Sequence, residues 1–394
     1  MRQRFFGLMT GLLMTLSLWG IWGNAFCRAE GLKPLDASPQ EGRIPLILVH
    51  GINPDAGKEY NWQGFLNLVR KDPAFQSRFK TYLFVYDPAK AIRVNGKLLQ
   101  ADLIDFHKRN ASTEPFRFAA LSLGGMIVRE ALADNDLWQQ TQRVVAISVP
   151  FHGTPLASKP WMHLCFKEAS VLNPVRHFDD LAYSVAERQF PHFEKDYCWD
   201  NFDGNMPESV ARQQTCPVPV SPHPPQEEAR KYTVYAGFYG SSTDQRQWLR
   251  KQLGLPADKK PADTKQPMLN RHMMFSLVQP CLSALPVVKA ASKGMVSVEA
   301  FNDGISPISS QLWLGRFARR GREGQPVPQE RLWQSVLAMR NSENARLFDG
   351  LDHRDWLEGQ TRYNGNGGKL QDWLHPDAPA RNMFEWIKFD LMRN

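Results

Sequence analysis

The sequence predicts an α/β fold in which helices cover both faces of a mostly parallel sheet. Apolar runs rich in branched residues, such as RIPLILVHG at 43–51, are typical of strands that are buried on both faces. These runs alternate with segments whose apolar residues recur at helical spacing, as strands and crossover helices do in parallel sheets. A chain of 394 residues has room for one such domain with insertions.

Strand-like and helix-like segments follow one another along the first 150 residues. After the strand at 43–51, the pattern predicts a helix near Trp62 to Arg70, strands at 79–87, 116–121 and 143–150, and helices at 96–110 and after Ser122. Further on it predicts a core strand at 231–239, strand-like segments in MVSVEAF and ARLFDG, and a C-terminal helix at 378–393. The short stretch before residue 43 leaves little room for earlier strands.

Residues 1–29 have the organisation of a secretory signal peptide. Arg2 and Arg4 precede an uncharged stretch from Phe5 to Cys27, and small residues offer cleavage after Ala25 or Ala29. The apolar segment also approaches the length of a membrane span, so an uncleaved anchor is the alternative. Either interpretation predicts that the rest of the chain lies outside the cytoplasmic membrane, secreted, periplasmic or anchored.

The cysteines agree with an oxidising compartment. Four of them follow the signal segment, an even number, and none has the spacing of a metal site. We expect two disulfides. Among the three connectivities we favour Cys198 with Cys216, for their short loop, and Cys165 with Cys281; four unrelated buried thiols are the alternative, which mass mapping of non-reduced protein distinguishes.

The charge of the chain is mildly positive. The formal net charge of +8 falls to +5 without residues 1–29, which hold three arginines and no acids. This balance is compatible with contact with an anionic membrane surface. The sequence has no run of basic residues, so we expect no nucleic-acid partner.

The segment FRFAALSLGG, 116–125, places a serine between a buried strand and a helix. A nucleophile elbow has the pattern G-x-S-x-G, because small residues are needed where the strand and helix backbones nearly touch. Gly124 fits the last position, and Ala120 at the first adds one methyl group. The motif alone is weak, and a serine that merely ends a strand is the alternative. A serine nucleophile also needs a base, a group that orients the base, and donors for the oxyanion.

Candidates for the acid and the base follow in the chain order Ser, Asp, His. His353 comes directly after the strand-like ARLFDG and is favoured over His375, which precedes a proline and the last helix. Asp303 lies in FNDGISPISSQLW, where Asn-Asp-Gly is also good turn chemistry. Asp244, which follows the strand at 231–239, is the rival acid.

Two backbone amides are candidates for the oxyanion hole. LILVHGI at 46–52 precedes the elbow, and the loop after that strand supplies one donor in this architecture, the other being the residue after the nucleophile. We therefore assign the N–H groups of Ile52 and Leu123. An ordinary turn at the end of the strand is the alternative for His50-Gly51.

Five motifs in this order resemble the landmarks of the secreted bacterial lipases and esterases of the α/β-hydrolase superfamily: LVHGI, ALSLGG, ISVPFHGTP, NDGISPISSQLW and LDHRDW. Alanine is common at the first elbow position in those lipases. The resemblance implies an α/β-hydrolase fold with reduced N-terminal strands and cap insertions. It also implies Ser122 as nucleophile, Asp303 as acid, His353 as base, and the oxyanion positions named above. Ser306 stands where the family usually has valine.

The same interpretation divides the chain into core and insertions. Core segments are predicted at 30–155, 230–240 and 295–394, with insertions at 156–229 and 241–294. We expect the first insertion to form a lid over the acyl pocket, or alternatively a small satellite core. Its tryptophan and phenylalanine residues are Trp161, Phe166, Phe178, Phe190, Phe193, Trp199 and Phe202.

The predicted activity is hydrolysis of lipid-like carboxylic esters, as in a lipase or esterase, through an acyl-enzyme. This chemistry needs no cofactor and no metal, and its partner is the lipid or ester substrate. The alternatives are an acyltransferase or phospholipase with the same triad, and a non-catalytic envelope protein that binds lipid. The sequence does not predict the head group, the acyl length or the oligomeric state.

Overall fold

A seven-stranded sheet organises the part of the chain that the computed structural model describes. The described residues are 30–52, 62–110, 114–158, 192–198, 223, 225–238, 243–257, 296–303, 305–314, 327–351, 353, 356 and 369–393. The strands are β1 (Gly31–Pro34), β2 (Ile44–Val49), β3 (Phe79–Val85), β4 (Phe116–Leu121), β5 (Thr141–Ile147), β6 (Tyr232–Phe238) and β7 (Ala345–Asp349).

The strand order is β1-β3-β2-β4-β5-β6-β7. In the described sheet, β1 pairs antiparallel with β3, and every other pairing is parallel. The strand that ends at Ser122 is β4, which lies at the centre of the order. This arrangement confirms the predicted α/β-hydrolase fold.

Helices lie on both faces of the sheet. They are α1 (Gln63–Val69), α2 (Pro73–Arg78), α3 (Ile92–Asn110), α4 (Leu123–Ala131), α5 (Asn135–Gln139), α6 (Phe193–Asp196), α7 (Pro225–Lys231), α8 (Thr243–Gln252), α9 (Ile308–Gln311), α10 (Gln329–Ala338) and α11 (Met383–Met392). The predicted helices near 62–70, at 96–110, after Ser122 and at 378–393 correspond to α1, α3, α4 and α11.

Strand β2 explains why the apolar runs are continuous rather than alternating. Its Ile47 and Val49 point into one core with residues of α3 and α4, whereas Leu46 and Leu48 point into a second core with residues of α1 and α11. All four side chains are fully buried. A strand covered on both faces has no solvent-facing positions, so it shows no polar alternation.

The predicted strand in MVSVEAF is wrong. Val298–Ala300 instead form a 3-10 turn, and β7 pairs directly with β6. The Val298 N–H donates to the Gln329 side-chain oxygen at 3.0 Å, not to a neighbouring strand. The side chains of Val298, Ala300 and Phe301 are buried in the core. The short apolar run correctly indicated that these side chains are buried. Burial alone, however, does not distinguish a strand from a turn.

The short edge strand β1 is an addition that the sequence did not predict. Its residues Gly31–Pro34 pair with Tyr82–Val85 of β3. The Leu32 N–H donates to Asp102 Oδ2 of α3 at 2.8 Å. Gly31 has a φ of +116°, and a Cβ there would lie 3.0 Å from the same carboxylate oxygen. A segment of four residues that includes glycine and proline has no strand-like sequence pattern. Its position is determined by contacts with β3 and α3, which the sequence of the segment does not show.

The two predicted insertions are described only in part. Helix α7 packs against β5 and β6, and Leu249 of α8 is buried in the core. Most of 156–229 and 241–294 lies outside the described residues, so the cap stays a prediction. Cys198 is disulfide-bonded, but Cys165, Cys216 and Cys281 are not described, and the predicted connectivity is not tested.

Residues 1–29 also lie outside the described part of the chain, so the signal segment stays a prediction. Within the described ranges, none of the helices combines the length and the apolar character that a membrane span requires.

Candidate active site

Ser122 lies at the tip of a sharp turn between β4 and α4. Its φ of 50° and ψ of −121° are backbone angles that a residue with a side chain adopts only under strain. Strain of this kind costs on the order of 1–3 kcal/mol and is typically found at functional sites. The Ser122 N–H donates to the carbonyl oxygen of Ile147 at 2.9 Å, which ties the turn to β5.

The glycine after the turn is required by the neighbouring backbone. A Cβ on Gly124 would lie 2.4 Å from the His50 carbonyl oxygen and 2.8 Å from that of Val49. Strand β2 therefore passes too close to α4 for any side chain at this position. Ala120 is fully buried and pairs with Val49 and Ala146, so the sheet accommodates its methyl group.

His353 lies between Ser122 and Asp303. Its Nε2 is 2.9 Å from Ser122 Oγ, and its Nδ1 is 2.7 Å from Asp303 Oδ2. The base loop is also joined to the acid loop by its backbone, because the His353 N–H donates to the Asp303 carbonyl oxygen at 2.8 Å. The structure thus brings together the three side chains that the sequence predicted as nucleophile, base and acid.

The carboxylate of Asp303 is fully buried and held by its own loop. Its Oδ1 accepts hydrogen bonds from the N–H groups of Ile305 and Ser306, at 3.0 Å and 2.8 Å. These bonds leave Oδ2 directed at His353. A carboxylate in this position selects the imidazole tautomer with the proton on Nδ1, which leaves the Nε2 lone pair for the serine hydroxyl.

The rival residues lie elsewhere. Asp244 is exposed in the first turn of α8, whereas Asp303 is the acid that contacts His353. His375 belongs to a different pair: its Nδ1 is 2.7 Å from Asp372 Oδ2, and its Nε2 is 2.9 Å from the Ser342 carbonyl oxygen. Asp372 is also 3.2 Å from Arg346, so this pair belongs to a buried ionic network.

The two predicted oxyanion donors belong to the loop after β2 and to the start of α4. Leu123 is the first residue of α4, and the first N–H groups of a helix have no acceptor within that helix. Gly51, next to Ile52, lies against the elbow: a Cβ on it would be 3.2 Å from Ser122 Cβ. The loop after β2 therefore lies beside Ser122, and the role of the Ile52 and Leu123 N–H groups stays a prediction. The positive end of the α4 dipole favours negative charge at this point.

Comparisons with known proteins found similar solved structures, all at low identity. No protein-family model matches the chain, and no curated protein matches it. The mature form of the Bacillus licheniformis lipase BlEst2 is 14% identical, with a TM-score of 0.37, over 83% of this chain and 92% of that protein. The propeptide form of BlEst2 is 21% identical (TM-score 0.26) over 32% of this chain, and Aspergillus fumigatus lipase B is 19% identical (TM-score 0.26), also over 32%.

The last two matches span 27% and 29% of the respective proteins. The order and the directions of the strands define the fold.

One contact at this site was not predicted from the sequence. The hydroxyl of Ser148, the residue after β5, donates to Asp303 Oδ2 and lies 3.0 Å from His353 Nδ1. Ser148 lies within the ISVPFHGTP motif, but the motif did not indicate a contact with Asp303 or His353. Within the described ranges, no group of three or more His, Cys, Asp or Glu side chains is arranged to hold a metal ion.

The burial of His50 at the end of β2 was also not predicted from the sequence. Its ring stacks on Tyr86 at a centroid distance of 4.0 Å, and its Nδ1–H donates to the Gly51 carbonyl oxygen at 2.7 Å. Burial lowers the pKa of His50 from 6.5 to about 4. The imidazole is therefore neutral at neutral pH and adds no charge beside Ser122.

We expect His50 to make the protein less stable as the pH falls. Between about pH 6.5 and pH 4 the unfolded chain binds a proton at His50 that the folded chain does not, so the free energy of unfolding decreases on acidification. The shift corresponds to about 3 kcal/mol over that window. Urea unfolding at several pH values measures it. The variant His50→Gln should show a shallower slope, and an unchanged slope would contradict the assignment.

Proposed function

We propose that this protein is a serine hydrolase that cleaves lipid-like carboxylic esters. The observation that carries the proposal is the continuous chain of contacts from Ser122 Oγ through both ring nitrogens of His353 to Asp303. The strained turn at Ser122 supports it, because such a turn presents a serine hydroxyl at the carboxyl edge of the sheet. A structural serine at the end of a strand needs neither feature.

The proposed reaction follows from this geometry. His353 Nε2 takes the proton of Ser122 Oγ while the oxygen attacks the ester carbonyl carbon. Charge then develops on the former carbonyl oxygen, where the N–H groups of Leu123 and Ile52 can stabilise it. His353 returns the proton to the leaving alcohol, and an acyl-enzyme remains on Ser122. Water, deprotonated by the same nitrogen, then attacks the acyl carbon; the bond to Ser122 Oγ breaks, His353 returns the proton to Oγ, and the carboxylic acid leaves.

Asp303 contributes through His353 rather than through the substrate. Its buried carboxylate stabilises the imidazolium that forms when His353 holds the proton. The four donors around the two carboxylate oxygens fix the direction of this interaction. The imidazole ring therefore does not need to reorient during the transfer, which keeps the reacting groups in place.

The preference for lipid-like esters rests on the first insertion. Its described residues 192–198 lie against the core: Asp196 Oδ2 accepts from the Ile92 N–H at the start of α3, at 2.6 Å, and the Tyr197 carbonyl oxygen accepts from the Thr154 N–H at 2.9 Å. Both contacts are made after the carboxyl ends of strands, which is the edge that carries Ser122. The aromatic residues that the insertion carries suit an acyl chain. Secretion to an extracytoplasmic compartment belongs to the same proposal.

Hydrolysis of esters of graded chain length tests the substrate class. We expect medium-chain esters to be preferred over acetyl esters, and the rate to rise when a medium-chain ester passes from monomers to micelles. The rate should rise because a lid that opens at an interface replaces the apolar contacts of its closed state with contacts to lipid. Truncation of cap aromatics such as Trp161 should speed hydrolysis of the monomeric ester.

The control is the Ser122→Ala variant, measured with the same esters and micelles, so that background hydrolysis is subtracted. The panel of substrates also includes phospholipids. A hyperbolic rate curve without a break at the micellar transition, together with a preference for acetyl esters, would instead indicate a simple esterase with a fixed cap.

A further inference from the structure

Ser148 occupies an unusual position beside the proposed triad. It follows β5 directly, and its N–H donates to the Tyr235 carbonyl oxygen at 2.9 Å, which extends the pairing of β5 with β6. Its φ is +49°, a left-handed conformation that glycine adopts at far lower cost than serine. The residue is fully buried. The chain thus keeps a hydroxyl at a position where the backbone alone would favour glycine.

The hydroxyl of Ser148 reaches both partners of the proposed charge pair. It donates to Asp303 Oδ2 and lies 3.0 Å from His353 Nδ1, while Nδ1 lies 2.7 Å from the same Oδ2. The three atoms form a closed triangle. A serine hydroxyl has one proton and two lone pairs, so a hydroxyl that donates to Oδ2 can still accept from Nδ1–H.

We infer that Ser148 is a positioning residue for the reaction proposed above, holding His353 in the orientation that directs Nε2 at Ser122. The Nδ1–H group has two acceptors, Asp303 Oδ2 and Ser148 Oγ, and a rotation of the imidazole away from Ser122 would weaken both contacts. Without the hydroxyl, His353 would keep one acceptor, and the ring could turn about that single bond. Ser148 touches no reacting atom, so its effect passes through His353 and Asp303.

The same hydroxyl completes the set of donors around Asp303. Oδ1 accepts from two backbone N–H groups, and Oδ2 accepts from Ser148 and His353. A buried carboxylate is stable as an anion only when its lone pairs are satisfied. Removing the Ser148 hydroxyl would leave part of Oδ2 without a donor and allow the carboxylate to shift from its present orientation.

The test compares Ser148→Ala and Ser148→Gly with the wild-type protein. We expect kcat on the preferred ester to fall roughly 10- to 100-fold in both variants, the range for losing a hydrogen bond to a charged group, with KM unchanged. Ser148→Gly also relieves the strained φ, so it should be as thermally stable as Ser148→Ala or more stable. Ser309→Ala is the matched control, because Ser309 is a buried serine on α9 whose hydroxyl has no hydrogen-bond partner among the described residues.

A double-mutant cycle separates a positioning role from a general structural one. In the Asp303→Asn background, Ser148→Ala should cost much less than in the wild-type background, since its partner is already lost. Equal fold-losses in both backgrounds, or wild-type kcat in Ser148→Ala, would overturn the inference. If Ser122→Ala abolishes turnover while Ser148→Ala does not reduce it, the inference fails alone. If Ser122→Ala keeps its turnover, the proposed function fails as well.

Discussion

Replacing Ser122 with alanine is expected to lower ester turnover by roughly a thousandfold or more and to leave the fold intact. The substitution removes the oxygen that attacks the ester, while His353, Asp303 and the backbone donors stay in place. Alanine differs from serine by that single oxygen, so the buried side chain leaves almost no cavity. The strained φ of 50° is no worse for alanine than for serine.

The measurement is kcat on the preferred ester, with circular dichroism and the melting temperature as checks on the fold. Ser309→Ala is again the matched control, since it removes a buried hydroxyl that the proposed mechanism does not use. Near-normal turnover in Ser122→Ala would remove Ser122 from the role of nucleophile, whatever the effect of the control.

Replacing Asp303 with asparagine is expected to lower turnover by a comparable factor, on the order of a thousandfold to ten-thousandfold. Asparagine has almost the same shape as aspartate but can present an amide N–H to His353 Nδ1. That interaction favours the tautomer with its proton on Nε2, which cannot accept the proton of Ser122. The loss should therefore appear in kcat more than in KM.

Asp244→Asn is the matched control for Asp303→Asn. It makes the same chemical change at an exposed position in the first turn of α8, where a carboxylate interacts favourably with the helix dipole. We expect wild-type kcat and a small loss of stability. Unchanged turnover in Asp303→Asn, with a large loss in Asp244→Asn, would transfer the role of acid to Asp244.

The order of the motifs was enough to predict which residues meet. Ser122 comes directly after β4, and His353 lies on the loop after β7. The two strands run in parallel, so their carboxyl ends lie at one edge of the sheet. Gly124 was predictable for a local reason, because the elbow brings β2 too close for a side chain. Asp303 was predicted from its NDG motif and from the family resemblance, since the strand expected before it is a 3-10 turn.

The features that escaped prediction depend on contacts between distant segments. The Ser148 hydroxyl contacts Asp303, which is 155 positions away in the sequence. This contact depends on the positive φ of Ser148, which the sequence around it does not indicate. Val298–Ala300 looked like part of a strand because three-dimensional packing, rather than a strand partner, buries those residues. The depressed pKa of His50 follows from its complete burial, which LVHG alone does not determine.

Labelling with a fluorophosphonate tests the central claim most directly, because this reagent reacts with a serine only when a neighbouring base activates it. We predict one covalent adduct per chain, mapped by mass spectrometry to the peptide that contains Ser122, with labelling abolished in Ser122→Ala and strongly slowed in His353→Ala. A folded protein that takes up no label, as a non-catalytic lipid-binding protein would, or an adduct on a residue other than Ser122, would contradict the proposed function.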